Sequence, residues 1–339
     1  MADLWVQFTA CAVLIFLAGK RIAKYGDIIA EKTGLGGVWI GAVLVAVATS
    51  LPELFTGVGS VVFVDAPDLT IGNLFGANAF NLVNIAWLDI MGGSTPLLSF
   101  MSGGQILTAA LGLAMVIIAM LGIFLTHKIG PVDIGGVGIF SILLMGFYLF
   151  SARAISKFEK KKRSAPKKSN EQERNVDYSH ITLKKAYLLY AVSALVIVVS
   201  GIWLAYIGDS LSQSMGLGRS FVGTLLIGFA TTLPEITVSI SALRLGAREI
   251  AVANMLGSNL FNLTIIFIDD LLYRKAPILS AASQSHIITG FCIIAMTCIV
   301  ITAIATKPRK KIFAGMSWYS ILLIGIFILS SYLSFFFRK

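Results

Sequence analysis

One pattern limits what this chain can fold into: an acidic residue follows a proline inside an otherwise lipid-like segment, and the arrangement occurs twice. Residues 41–53 read GAVLVAVATSLPE and residues 223–235 read GTLLIGFATTLPE, so each copy ends in Leu-Pro-Glu. Each copy has a polar companion downstream, GNLFGANAFNL at 72–82 and ANMLGSNLFNL at 253–263. The same two motifs in the same order indicate an internal duplication in which the two carboxylates are equivalent.

The composition places these motifs in a membrane. The chain has 339 residues, of which 57% are hydrophobic and only 13% are charged. A helix needs about 20 apolar residues to cross the hydrocarbon core, and several windows of this length carry no charge, at 105–126, 186–208, 286–306 and 312–337. The sequence therefore predicts an integral, multi-pass membrane protein. In such a protein the net charge of +10 indicates membrane topology and does not indicate a nucleic-acid partner.

Ten spans are predicted, so the expected fold class is an all-α membrane protein of ten transmembrane helices. The hydrophilic segment 152–185 divides the spans five and five, and its composition is typical of a linker. The first half is then residues 1–151, with its repeat motif at 37–85, and the second half is residues 186–339, with its motif at 219–267. The predicted spans are 4–19, 35–63, 70–90, 105–125, 131–151, 186–208, 219–243, 249–271, 286–306 and 312–336.

The distribution of basic residues predicts the orientation of the chain. If the 152–185 linker is cytoplasmic, most of the 27 Lys and Arg residues lie on its side of the membrane, as the positive-inside rule requires. Both termini are then outside. Because each half contains an odd number of spans, the second half enters the membrane in the opposite sense to the first. Inverted repeats of this kind are common in secondary transporters, whose substrate site lies near the bilayer midplane.

The two carboxylates of the repeated motif need compensation. Glu53 and Glu235 fall near the middle of predicted spans, where an ionised side chain costs about 2.5 to 3.5 kcal/mol. No basic residue is predicted at their depth, so protonation or a bound cation remains. Pro52 and Pro234 have no amide hydrogen, which frees carbonyl oxygens in the preceding turn. Freed carbonyls inside a membrane require a new partner, and a cation can serve as one.

All available ligands around the motifs are oxygen atoms, a set that suits Ca²⁺ or Na⁺ better than zinc or copper. Two carboxylates neutralise one divalent ion. One or two of the asparagines are expected to cap broken backbone instead of contacting an ion. The candidate ligands are the carboxylates of Glu53 and Glu235, the hydroxyls of Thr49, Ser50, Thr231, Thr232 and Ser258, and the amides of Asn73, Asn78, Asn81, Asn254, Asn259 and Asn262.

The pairing of Thr-Ser-Leu-Pro-Glu with Gly-Asn-x-x-Gly-x-Asn-x-Phe-Asn, repeated in both halves, resembles the α-repeats of the sodium/calcium exchanger family. That family belongs to the cation/calcium exchanger superfamily, and the chain resembles its short prokaryotic form. The resemblance implies counter-transport of Na⁺ and Ca²⁺ by alternating access, in which the first and sixth spans slide across the core.

The resemblance also implies roles for individual residues. Glu53 and Glu235, with the carbonyls of Thr49 and Thr231, match the central calcium ligands of the family. The hydroxyls that match flanking sodium sites are those of Ser50, Thr232 and Ser258. The polar position one helical turn beyond is matched by Asn81 and Asn262, and the Asn78 and Asn259 amides complete the expected ion-binding set.

One departure from the family pattern leaves the counter-ion open. Ala77 stands where the first repeat would usually have serine, so one hydroxyl ligand for sodium is missing, although Ser258 is present in the second repeat. A Ca²⁺/H⁺ antiporter is therefore the alternative to Na⁺/Ca²⁺ exchange. A passive channel would need a continuous polar lining, and a scaffold gives no reason for two buried acids.

Other functions and partners are not indicated. No Asp pair lies at mid-depth and no Ser or Cys has a nearby His, so an enzyme is not expected. The expected partners are Ca²⁺, Na⁺ with H⁺ as the alternative, and the lipid bilayer, with no resident cofactor, no nucleic acid and no obligatory protein partner. Several acids near predicted span ends are interpreted as interfacial: Asp89, Asp133, Asp209, Asp269 and Asp270.

Overall fold

The structure is a computed structural model that describes residues 1–33, 47–163, 181–313 and 315–337. These ranges are overwhelmingly α-helical, and eight of their helices are long and apolar enough to cross a membrane. A bent pair of shorter helices brings the number to nine if it counts as one span. The helices are α1 Ala2–Lys32, α2 Leu51–Gly59, α3 Pro67–Met91, α4 Gly103–Ile129, α5 Ile139–Arg163, α6 Leu183–Met215, α7 Arg219–Thr231, α8 Leu233–Arg244, α9 Arg248–Leu272, α10 Ser285–Thr306 and α11 Trp318–Phe336.

The first copy of the repeated motif contains a helix break. Residues 47–49 are helical, the chain turns at Ser50, and α2 begins at Leu51 with a proline in its first turn. A π-helical turn over Ser60–Val64 ends the element. The part of the predicted 35–63 span that precedes residue 47 lies outside the described residues.

The second copy is broken at the equivalent place. Helices α7 and α8 meet at Thr232 with a bend of 41°, and α7 contains its own π-helical turn over Gly223–Ile227. Proline removes one helical hydrogen bond and clashes with the preceding turn, so the interruption predicted for both copies is present in both. Irregular backbone of this kind often marks functional sites in helices.

Helices α3 and α9, which carry the asparagine motifs, form the centre of the bundle. Within the apolar window of each, 72% of the residues are buried, whereas the figure for α1 is 28%. Gly72 and Gly76 let α3 approach the backbone of α7, because a Cβ at Gly72 would lie 3.0 Å from the Thr224 amide nitrogen. A Cβ at Gly76 would overlap Thr224 itself. Small residues therefore permit this close helix contact.

Helices α1 and α6 pack against each other along their length and cross the two motifs from outside. Gly19 of α1 lies against Pro234, and a side chain there would overlap the proline ring. Gly201 of α6 occupies the corresponding position on the first motif, where a Cβ would lie 3.1 Å from the Thr56 amide nitrogen. Each outer helix thus contacts the broken helix of the opposite half.

Two helices continue beyond the spans predicted for them. Helix α1 continues to Lys32, beyond the predicted 4–19 span, and α5 continues to Arg163 within the segment predicted as a linker. Hydropathy marks where a helix leaves the hydrocarbon, whereas the helix itself continues while its residues favour it. A two-residue antiparallel pairing of Asp133–Ile134 with Val137–Gly138 also departs from an entirely helical chain. The centre of the linker, 164–180, lies outside the described residues.

Candidate cation site

Two buried carboxylates face each other where the broken helices resume. Glu53 lies in the first turn of α2 and Glu235 in the first turn of α8, and both side chains are fully buried. Helix starts favour negative charge because their amide groups are unpaired. The two carboxylates are close enough for Glu235 to act on Glu53 by direct charge repulsion. A cation between them would relieve this repulsion.

Three of the four carboxylate oxygens have no hydrogen-bond partner: both oxygens of Glu53 and Oε2 of Glu235. The fourth, Glu235 Oε1, accepts a 3.1 Å hydrogen bond from Ser50 Oγ. Ser50 belongs to the first motif, so the Glu235 carboxylate of the second half is contacted by a residue of the first half. Leaving such oxygens unpaired in a membrane interior is costly, which makes this position a candidate binding site.

Most of the predicted hydroxyl ligands lie beside one of the two carboxylates. Thr49 and Ser258 lie beside the Glu235 carboxylate, and Ser258 Oγ makes no hydrogen bond of ordinary geometry. Thr231 lies beside Glu53 and donates a 2.9 Å hydrogen bond to Asn73 Oδ1. Thr232 differs from these, because its hydroxyl donates to the Gly228 carbonyl of its own helix at 2.8 Å. The structure therefore brings all the predicted hydroxyls except that of Thr232 to the carboxylates.

The predicted amide ligands form a reciprocal network between α3 and α9. Asn78 Nδ2 donates to the Asn259 carbonyl at 3.3 Å, and Asn259 Nδ2 donates to the Asn78 carbonyl at 3.2 Å. Asn81 donates to Asn259 Oδ1 at 3.0 Å and Asn262 donates to Asn78 Oδ1 at 3.2 Å. The Oδ1 atoms of Asn81 and Asn262 remain buried without a partner. These two amides thus keep an oxygen available while their nitrogens hold the two helices together.

Asn73 and Asn254 bond the backbone of the two acidic residues. Asn73 Nδ2 donates to the carbonyl of Glu53, and Asn254 Nδ2 donates to the carbonyl of Glu235, both at 3.3 Å. These are not the carbonyls that the prolines free, which lie in the turns before Pro52 and Pro234, so the expected capping of freed carbonyls stays a prediction. These two hydrogen bonds also hold the backbone of Glu53 against α3 and the backbone of Glu235 against α9.

Three acids interpreted from the sequence as interfacial are buried instead. Asp89, Asp269 and Asp270 have at most 1% exposure. Asp89 accepts a 2.7 Å bond from the Leu97 amide, and Asp270 accepts a 2.6 Å bond from the Ile278 amide. A sequence signal existed, because Asp89 and Asp270 stand at the same spacing after the asparagine motifs of their halves. Position near a span end did not mean exposure, because neighbouring turns cover these carboxylates.

Acids at the N-terminal end of α3 pair with nearby groups. Asp65 forms an ion pair with Lys275, and the lysine hydrogen bond lowers the pKa of the Asp65 carboxyl. Asp68 accepts a 2.6 Å bond from the Ser283 amide and lies 3.0 Å from His286 Nε2. These side chains tie loops together at the predicted outer end.

The arrangement supplies only oxygen ligands at its centre. Within the described ranges, no group of three or more His, Cys, Asp and Glu side chains forms a metal cluster. Carboxylate, hydroxyl and amide oxygens are the ligands of hard cations such as Ca²⁺ and Na⁺. Apolar spans around a paired, oxygen-lined carboxylate site define a multi-pass membrane protein of the ion-transporter class.

The chain belongs to the sodium/calcium exchanger family. The family described as "Sodium/calcium exchanger protein" matches residues 4–157 and 185–336, which include both motif pairs. The resemblance carried by those motifs is therefore confirmed.

Individual relatives agree with this assignment. The sodium/calcium exchanger MaX1 of Methanosarcina acetivorans is 27% identical over 347 residues, with 93% of this chain and 96% of MaX1 covered. The inner membrane protein YrbG of Escherichia coli is 23% identical over 256 residues, 75% of each chain.

Two solved structures share the fold. The sodium-calcium exchanger NCX_Mj superimposes with a TM-score of 0.59 at 20% identity, covering 97% of this chain and 98% of its own. The H⁺/Ca²⁺ exchanger CAX superimposes with a TM-score of 0.68 at 11% identity, covering 99% of this chain and 86% of its own. At these identities the likeness concerns the fold and does not identify the transported counter-ion.

Proposed function

We propose that this protein is a secondary active antiporter that exchanges Ca²⁺ for Na⁺ by alternating access. The observation that carries the proposal is the burial of Glu53 and Glu235 next to each other with three carboxylate oxygens unpaired. Two negative charges suit one divalent cation, and Ca²⁺ accepts an irregular oxygen cage more readily than Mg²⁺ does. The protein would act on Ca²⁺ and Na⁺ in a lipid bilayer, without enzymatic activity, a resident cofactor or an obligatory protein partner.

In this proposal the central Ca²⁺ is bound by the two carboxylates and by the carbonyls of Thr49 and Thr231. Sodium sites would use Ser50 and Ser258, and the free oxygens of Asn81 and Asn262 would complete the set. Asn78 and Asn259 would act through the network that positions those oxygens. We assign no ion contact to Thr232 in the present conformation, because its hydroxyl bonds within its own helix.

The ten-span, inverted-repeat plan belongs to the same proposal. Its support is the exchange symmetry of the hydrogen bonds: Asn78 and Asn259 bond each other's carbonyls, and Asn73 and Asn254 cap equivalent glutamates. A two-fold relation between halves in the membrane plane produces such a pattern. We place both termini outside and the 152–185 linker in the cytoplasm, following the distribution of basic residues.

Alternating access would move α1 and α6 relative to the bundle. These two helices contact each other along their length and meet the motifs at Gly19 and Gly201. At each of these two crossings the outer helix presents a glycine, so no side chain of that helix stands between it and the motif. The central helices α3 and α9 would remain fixed by their reciprocal amide network.

Ca²⁺/H⁺ antiport is the second candidate, and one observation favours it. Ala77 is fully buried, and its backbone lies against Gly228. Because alanine has no hydroxyl, this position offers no side-chain oxygen. Its equivalent in the other half is Ser258, which lies beside Glu235. A missing hydroxyl weakens a sodium site more than it weakens a site for a proton, which needs only the carboxylates.

The deciding experiment measures Ca²⁺ flux into liposomes that contain the purified protein. Na⁺, K⁺ and H⁺ gradients are imposed one at a time, and the Glu53→Gln variant serves as the inactive control. Flux driven by Na⁺ alone supports the first candidate, and flux driven by a pH gradient alone supports the second. Absence of Ca²⁺ flux under every gradient, from protein shown to be folded, would reject both.

A further inference from the structure

A second unpaired carboxylate lies outside the proposed ion site. Asp269 on α9 is fully buried, and neither of its oxygens has a hydrogen-bond partner. Its neighbour Asp270 differs, since it accepts bonds from the Gly138 and Ile278 amides. Asp270 therefore has a structural role, and Asp269 has none that its contacts explain.

The duplication shows that the fold does not require an acid at this position. Asp270 corresponds to Asp89 of the first half, so Asp269 corresponds to Leu88, which is fully buried as well. An apolar side chain therefore fills the equivalent place without difficulty. A carboxylate there carries a desolvation cost that a purely structural residue would avoid, and this points to a function for Asp269.

Asp269 lies close to the first motif. Its carboxylate faces Gly57 so closely that a Cβ on Gly57 would overlap it. Gly57 follows Glu53 by one helical turn on α2, a rise of about 6 Å. The Gly57 carbonyl accepts a 3.3 Å bond from Thr70 Oγ1, and the adjacent Thr56 hydroxyl is buried without a partner. Asp269 thus stands between Glu53 and the predicted outer end, where Asp65 pairs with Lys275.

The surroundings of Asp269 suit a proton better than a metal ion. The described residues supply it with no basic partner, and within them Asp269 is not part of any group of three or more His, Cys, Asp and Glu side chains that could hold a metal ion. Asp270 is the charged group that acts on it directly, by repulsion. The elements packed against α9 carry these other titratable groups: Glu53 on α2, Asp68 and Asp89 on α3, His127 and Lys128 on α4, Tyr148, Arg153, Lys157, Glu159 and the basic run 160–163 on α5, and Glu235 and Arg244 on α8.

We propose that Asp269 is a proton-binding site separate from the Glu53–Glu235 pair, on the outer side of the cation site. Its proton would be exchanged with water on the outer side of the membrane. An ionised Asp269 attracts a cation at Glu53, whereas a protonated one does not, so cation arrival releases the proton and cation departure restores it. This coupling rests on the proposed transport function, although the proton site itself does not.

The first test uses infrared spectroscopy on the full-length protein in lipid nanodiscs, without Ca²⁺, between about pH 5 and about pH 9. The carboxyl stretching band of a protonated, desolvated acid should be present, and Asp269→Asn should remove one component of it. Asp133→Asn, at an exposed acid, should leave that component unchanged.

If Asp269→Asn misfolds, the variant Asp269→Leu is used in its place, because leucine is the equivalent residue of the first half. A band of unchanged intensity in the folded variant would overturn the assignment.

A second arm separates the proton from sodium. In the Glu53→Gln variant, whose central cation site is disabled, replacing K⁺ by Na⁺ at fixed pH should leave the Asp269 component in place, and its disappearance there would make this a sodium site and overturn the proposal. Ca²⁺ addition should release about one proton fewer from Asp269→Asn than from the native protein, and equal release would contradict the coupling. Because the infrared component needs no transport, failure of the proposed exchange activity is distinguishable from failure of the proton site.

Discussion

Ser50 of the first motif donates a 3.1 Å hydrogen bond to Glu235 of the second, across 185 residues of sequence. The bond joins the turn that precedes one broken helix to the first turn of the other. The bond therefore connects the two halves of the chain at the centre of the bundle. It also fixes one Glu235 oxygen, while the other remains unpaired.

Replacing either central carboxylate should strongly weaken Ca²⁺ binding. Glu53→Gln and Glu235→Gln each remove one charged ligand, whose loss we expect to weaken binding by about 100-fold, from about 3 kcal/mol. Isothermal titration or radioactive Ca²⁺ binding measures this, with the distant Glu159→Gln as the matched control. Near-native affinity in both glutamine variants would contradict the proposed site.

Ser50 and Thr232, the equivalent hydroxyl residues just before Leu-Pro-Glu in the two motifs, should behave differently when they are replaced. Ser50→Ala removes the bond to Glu235 and should weaken Ca²⁺ binding by about three- to tenfold. Thr232→Val should change it by less than about twofold, because that hydroxyl bonds within its own helix. Equal effects of the two substitutions would show that Thr232 turns toward the ion in the occupied state.

A hydroxyl at position 77 should strengthen the coupling to sodium. Ala77→Ser restores the symmetry with Ser258, which lies beside Glu235, and adds an oxygen ligand suited to Na⁺. We expect the Na⁺ concentration for half-maximal Ca²⁺ flux to fall, and Ser258→Ala to raise it. Flux measurements over a Na⁺ series at constant pH provide the check, and an unchanged Na⁺ dependence in both variants would exclude these positions from a sodium site.

The contact between Gly57 and Asp269 should not tolerate a methyl group. Gly57→Ala forces a Cβ into the carboxylate, and overpacking of this kind costs about 1 to 3 kcal/mol. The control is Gly146→Ala on α5, where a Cβ meets nothing within 4 Å. Thermal unfolding in detergent should show a lower Tm for Gly57→Ala alone, whereas equal Tm values would mean that the helices separate readily at Gly57.

The outer loop should show a pH response set by its ion pair. The hydrogen bond from Lys275 lowers the pKa of Asp65, so the contribution of this pair is present above the unfolded pKa of Asp65 and is lost as pH falls through the lowered folded value. Lys275→Gln should therefore raise the pKa of Asp65 toward its ordinary range. Carboxyl NMR titration with Asp65→Asn for assignment measures the shift, and an unmoved Asp65 would show that Lys275 points into solvent.

Part of this architecture could be predicted from the sequence because its causes are local. Hydropathy located the described membrane helices, and the two Leu-Pro-Glu motifs predicted where a helix would break, because proline removes a hydrogen bond wherever it stands. Glu53 and Glu235 were identified as unusual because a charge in hydrocarbon is costly irrespective of the fold. The family assignment also followed from the motifs, and the family match confirmed it.

Only the tertiary structure decided which oxygens meet. That Ser50 bonds Glu235, that Asn78 and Asn259 exchange hydrogen bonds, and that Thr232 turns back to Gly228 depend on packing between helices far apart in sequence. Burial of Asp269 was equally invisible, since its place near a helix end is typical of interfacial acids. Local pattern fixes what a segment can be, whereas contact across the bundle decides which side chains share a dehydrated site, because that depends on how distant helices pack together.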